Sequence, residues 1–157
     1  MSIEKVRAYF RPLGREQDIL EFPVSSATVE LAAQAVGVIP ARIAKTLSFL
    51  VEDHCVLIVT AGDTKVDNSK YKALFHTKAK MLSSEQVSEF TGHAIGGVCP
   101  FGNPPGVRTY LDISMQRFET VFPAAGSSNS AIELTCDELA QYSNSLGWID
   151  VCKGWQG

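Results

Sequence analysis

The chain has 157 residues, enough to bury a core of its own, with 45% hydrophobic and 20% charged residues and a formal net charge of −3. No apolar run reaches the ~20 residues of a bilayer-spanning helix, and the acidic balance argues against a general nucleic-acid binder. Cys55, Cys99, Cys136 and Cys152 form no C-x-x-C pair and lack a histidine at zinc-finger spacing, so no metal or other cofactor is expected. Residues 1–15 are too charged for a secretory signal, which leads us to expect reduced thiols in a cytoplasmic protein.

In chain order, residues 1–10 alternate Ile3, Val6, Ala8, Tyr9 and Phe10 with Lys5 and Arg7, an amphipathic helix stopped at Pro12-Leu13-Gly14. Residues 19–24 read as a strand, placed at a sheet edge by Pro23. Residues 25–37 read as a helix with Ser26 or Thr28 as its cap and Gly37 behind it. Pro40 opens a helical turn through Ala44. Residues 45–51 and 55–60 form a hairpin around Glu52-Asp53-His54. Alternation puts Lys45, Leu47, Phe49 and Val51 on one face, so the Lys45 ammonium sits at the rim of an apolar surface.

Asp67 or Asn68 caps a helix through Phe75, and residues 78–81 read as a short strand. Ser83 with Gln86 is a capping box for a helix that ends near Gly92. A strand over 107–111, one helical turn over 114–118 behind Asp112, and strands over 119–125 and 132–134 follow. Thr135 with Glu138 is a second capping box, opening a helix to about Leu146, and residues 148–152 make a last strand. Strands joined by tight turns between helices indicate an α+β fold with a mixed, largely antiparallel sheet, in one domain over 1–157.

Two stretches carry candidate chemistry. Gly96, Gly97, Val98, Cys99, Pro100, Phe101 and Gly102 suit neither helix nor strand. Such a loop can turn several main-chain N–H groups toward one oxygen. Lys65, Lys70, Lys72, Lys78 and Lys80 lie in a strip with Asp67 as its acid, readable as a solvated face or a phosphate-binding surface. Gly96 and Gly97 fit neither a nucleotide loop nor a dinucleotide fingerprint. Cys99 with His93 as base is a conceivable thiol nucleophile, although a cysteine is most often a small buried hydrophobe.

The run Ile43-Ala44-Lys45-Thr46-Leu47, the loop from Ile95 to Gly102, Tyr110-Leu111-Asp112, Ala124-Ala125-Gly126 and Ile132-Glu133-Leu134-Thr135 together resemble the YbaK family. That family is also called the prolyl-tRNA-synthetase-associated editing domain. The resemblance implies a barrel-like mixed sheet flanked by helices. It implies a free-standing aminoacyl-tRNA deacylase that acts in trans on a small amino acid mischarged onto tRNA, typically tRNA for proline. Its implied partners are the acceptor end of aminoacyl-tRNA and, in a transient complex, a synthetase, with no membrane.

Carried over by position, Lys45, Gly96 and Gly97 take the catalytic places. Val98, Cys99 and Pro100, in the matching loop, take substrate-binding places. From the residues themselves, Leu47 is expected to line the acyl pocket beside that loop, and Lys65, Lys70, Lys72, Lys78 and Lys80 to meet the acceptor-stem phosphates of tRNA. Cys99 stands where the family commonly has serine, and Ala131 where some cysteine-removing members have aspartate. Both departures bear on which amino acid is removed. Two other readings are a module that binds aminoacyl-tRNA or an amino-acid analogue without hydrolysing it, and a Cys99-dependent hydrolase of small esters.

Overall fold

The computed structural model describes residues 2–26, 28–93 and 98–155. Helix α1, Ser2–Phe10, buries Val6 and Phe10. Phe10 meets Phe101 edge-on at 4.9 Å and Tyr142 at 5.5 Å, a geometry aromatic quadrupoles favour. Gly14, at φ 73, ends the helical turn that follows. Strand β1 is Ile19–Glu21 and stops two residues before Pro23, shorter than the expected 19–24. Helix α2, Val29–Val36, begins where the Thr28 side chain accepts the Leu31 N–H, and Gly37 closes it at φ 86.

After a single turn, Pro40–Arg42, strand β2 runs Ile43–Val51 and returns as β3, His54–Ala61. Both turn residues, Glu52 and Asp53, are left-handed (φ 48 and 67), which matches the strand twist. His54 therefore pairs with Val51 and belongs to the strand rather than the turn. Strand β4, Lys65–Val66, precedes α3, Asn68–Phe75, whose first turn is capped by Asp67. Residues 78–81 make no strand; Met81 forms one isolated bridge with Phe49.

Helix α4, Ser84–Thr91, carries the Ser83–Gln86 capping box. Strand β5, Arg108–Asp112, leads into a turn, Ile113–Arg117, capped by Asp112, and then β6, Thr120–Pro123. The expected strand over 132–134 is two pieces, β7, Ser130–Ile132, and β8, Leu134–Thr135, with different partners. Helix α5, Cys136–Tyr142, carries the second box. It ends four residues early because Asn144 turns left-handed (φ 52) and Leu146 N–H bonds to the Thr109 carbonyl. The last run also divides, into β9, Trp148–Ile149, and β10, Cys152–Lys153.

The main sheet is mixed and curls into half a barrel in the order β8-β6-β2-β3-β5-β9, flanked by helices. Its longest ladder is the antiparallel β2–β3 hairpin, while β2–β6, β3–β5 and β5–β9 are parallel. Two ribbons, β1–β7 and β4–β10, stand beside it. Residues 55–61 of β3 are buried throughout, so both faces are covered. Val56 and Ile58 pack with Phe49, Tyr71 and Cys152 on one face. Cys55 and Leu57 pack with Leu82 and Val87 on the other, beside the larger cluster of Val59, Phe10 and Phe101. Among the described residues no helix is long and apolar enough to cross a membrane.

Candidate functional site

Strand β2 changes partners along its outer edge. β6 pairs with it only at Ile43 and Ala44. From Ser48 onward the edge is taken by residues 80–82, through Leu82 N–H to the Ser48 carbonyl (3.1 Å) and Leu50 N–H to the Lys80 carbonyl (2.8 Å). Between these neighbours lies a cavity of about 330 Å³. Ala44, Lys45, Thr46, Leu47 and Ser48 all line it. Five consecutive strand residues cannot share a face, because side chains alternate. They share this cavity because it wraps around an edge of the strand that is bare among the described residues, and so reaches both faces.

The remaining walls are largely apolar, with Ser26, Thr28 and Ser130 as their polar members. Helix α2 supplies Val29 and Ala32, and the segment before α4 supplies Met81 and Leu82. Val87 comes from α4, and Phe122, Ala124 and Ala131 come from around β6 and β7. Val98 enters from the other side, so the cavity joins Lys45 and Leu47 to the first described residue after the glycine pair. Gly96 and Gly97 themselves lie outside the described residues. The lining has no aspartate, glutamate or histidine among the described residues, which leaves Lys45 as its ionisable group.

Lys45 is half-buried and its Nζ donates to the Thr64 carbonyl. Burial pulls its pKa below the ordinary lysine value, opposed by the carboxylates of Asp63 and Glu30. Asp63 is itself held low, first by its hydrogen bond from Arg117. Beside Lys45, on the opposite face of the strand, Thr46 Oγ1 is buried without a hydrogen-bond partner. A same-face reading of the sequence passes over Thr46, since only the missing neighbour strand brings both residues to one space.

Cys99 and Pro100 do not line the cavity. Cys99 is fully buried, with Sγ 3.6 Å from His93 Nε2 and 3.8 Å from the Phe101 carbonyl. Burial raises its pKa to about 12 and lowers that of His93. The two are therefore a neutral pair in the core, away from the cavity, rather than a thiolate and its base. Cys99 and His93 thus meet, as a thiol nucleophile and its base would, but burial holds both in their neutral forms, and Cys99 is not among the residues that line the cavity.

The basic strip divides. Lys65, Lys72, Lys78 and Lys80 are exposed. Lys70 is committed to the fold, donating to Asp150 (2.8 Å) and the Cys152 carbonyl (3.1 Å). Lys65 lies directly opposite Lys153, a cation beyond the expected strip that only the β4–β10 pairing reveals. Among the described residues no three His, Cys, Asp or Glu side chains cluster as a metal site would require.

Residues 24–142 match the model of the family described as the aminoacyl-tRNA editing domain. YwhH of Bacillus subtilis (strain 168), described as uncharacterized, is 57% identical over 157 residues, 99% of this chain and 100% of that one. The proline–tRNA ligase of Bacillus licheniformis is 28% identical over 128 residues, 81% of this chain and 22% of the ligase. A solved structure described as a candidate trans-editing enzyme for prolyl tRNA synthetase superposes with a TM-score of 0.87. It is 30% identical and covers 98% of each chain.

Proposed function

Because the chain belongs to the aminoacyl-tRNA editing domain family, we propose that it is a trans-acting deacylase. It cleaves the ester joining a small amino acid to the terminal ribose of tRNA, with tRNA for proline as the first candidate. The observation that carries this reading is the seating of Lys45 in a small, largely apolar cavity around a bare strand edge. Its volume of about 330 Å³ suits a small acyl group with part of a ribose.

An ester is already activated, so the protein need not supply a strong nucleophile. Water, which the adjacent ribose hydroxyl can orient by a hydrogen bond, adds to the carbonyl carbon and the carbonyl oxygen becomes an oxyanion. Collapse then breaks the acyl C–O bond, and the ribose oxygen leaves with a proton. Main-chain donors of Gly96 and Gly97 are assigned to the oxyanion, and Lys45 to the carbonyl, ribose or terminal phosphate. Binding alone discriminates one methylene by only about 10- to 200-fold, which is why a second, hydrolytic sieve is useful. Ala131 leaves that wall of the cavity without a charge, in keeping with an apolar acyl group.

The test is a deacylation panel of alanyl-, cysteinyl-, seryl-, threonyl- and 2-aminobutyryl-tRNA. At least one should be hydrolysed, and Lys45→Ala should slow it by about 100-fold or more with the fold intact. Binding of these tRNAs without hydrolysis would make the protein a binding module and end this reading.

A further inference from the structure

The hairpin register fixes which way the Thr46 main chain faces. Val51 and His54 close a two-residue turn as a hydrogen-bonded pair. In an antiparallel ladder such pairs alternate with open ones, so Phe49, Leu47 and Lys45 bond to β3 and Leu50, Ser48, Thr46 and Ala44 bond outward. The Leu50 N–H to Lys80 bond and the Leu82 N–H to Ser48 bond both lie on that outer side. Thr46 has the same parity, but β6 ends its pairing at Ala44 and the 80–82 segment begins at Ser48. Among the described residues nothing bonds the outward N–H or C=O of Thr46, and the cavity occupies the place of the neighbour strand.

One vacant antiparallel rung asks for one carbonyl and one N–H donor separated by a single carbon. An α-aminoacyl group has that arrangement: a carbonyl, a Cα and an ammonium. The geometry points to Thr46 as the docking rung for the aminoacyl group. Its N–H donates to the ester carbonyl and its C=O accepts from the α-ammonium. This rests on the deacylase reading and deepens it, by naming what the site recognises in every aminoacyl ester whatever the side chain. Residues opposite one another in such a pair place their side chains on the same face. An L-amino acid would then direct its side chain to the Thr46 face, toward Leu82, Val87 and Val98, leaving the Lys45 face for the ribose.

The experiment uses the ¹⁵N-labelled chain with 3′-(L-alanylamino)-3′-deoxyadenosine, in which an amide replaces the labile ester. Binding should slow hydrogen exchange of the Thr46 N–H by about tenfold or more, because a protected amide must open before it exchanges. The Lys45 N–H, already bonded to β3, is the reference. The 3′-propionylamino analogue lacks the ammonium, leaves the Thr46 carbonyl unpaired and should bind about tenfold more weakly. Equal affinities, or binding that shifts the Leu82 and Val98 signals while Thr46 exchange is unchanged, would overturn the docking rung and leave the deacylase reading standing. Failure of both analogues to bind would overturn both.

Discussion

The Lys45 ammonium donates to the main-chain carbonyl of Thr64 from the wall of a largely apolar cavity. A cation kept there is costly to the fold, because burial pulls its pKa below 10.5. Between that depressed native value and 10.5 the unfolded chain binds the proton more tightly, so native stability rises with pH through this window. Relative to Lys45→Met, the parent protein should therefore gain stability between pH 7 and about 10.5. The half-exposed setting keeps the gain under about 1 kcal/mol. Denaturant titrations of both proteins across that range measure it; parallel pH profiles would show that the ammonium carries no such cost.

The thiol of Cys99 should be silent. With its pKa at about 12 and no exposure, native protein should resist alkylation at Cys99 while labelling at the half-buried Cys136. Cys99→Ser should keep deacylation within about threefold of the parent. Loss of all activity in a folded Cys99→Ser protein would restore the thiol to the chemistry.

The lysines should separate into two groups by salt dependence. Removing one lysine that neutralises a phosphate reduces the slope of log affinity against log salt by about 0.7–0.9. Lys65 and Lys153 stand directly opposite one another across β4–β10, two like charges whose repulsion a bound phosphate would relieve. Replacing both with glutamine should flatten the slope for aminoacyl-tRNA by about one to two. Lys70→Gln should lower the unfolding midpoint, since Lys70 ties α3 to Asp150 and β10, and leave the slope nearly unchanged. Slopes measured by filter binding at several salt concentrations decide this.

His76 ends α3 in the left-handed region at φ 62, where a side chain with a Cβ is strained. His76→Gly should stabilise the protein by about 0.5–1 kcal/mol, read from the urea midpoint. A lower midpoint would mean that the His76 side chain contributes contacts worth more than the backbone strain.

Much of the scaffold was legible because its signals are local. Thr28, Asp67, Ser83, Asp112 and Thr135 each cap the turn that follows them, a matter of two or three residues. The hairpin could be read from two apolar runs around a polar turn, and Lys45 from its place on the first of them. What escaped was set by distant partners. Strands β4 and β10 have two residues each, too few for a period to register. The runs at 130–135 and 148–153 look continuous but split because each half meets a different neighbour. The burial of Cys99 depends on α1, which supplies Phe10 to the same cluster from the other end of the chain. The cavity exists because β2 exchanges one companion for another, which no pattern within β2 announces.

That exchange also bears on solubility. An uncovered strand edge invites another chain to add itself, the first step toward aggregation. Here the uncovered stretch is closed off at Ala44 by β6 and at Ser48 by Leu82. An intruding polypeptide would need several successive bonds to hold, and the gap offers room for about one. Among the described residues, the fold thereby leaves one rung of backbone open while denying a fibril the run of rungs it needs.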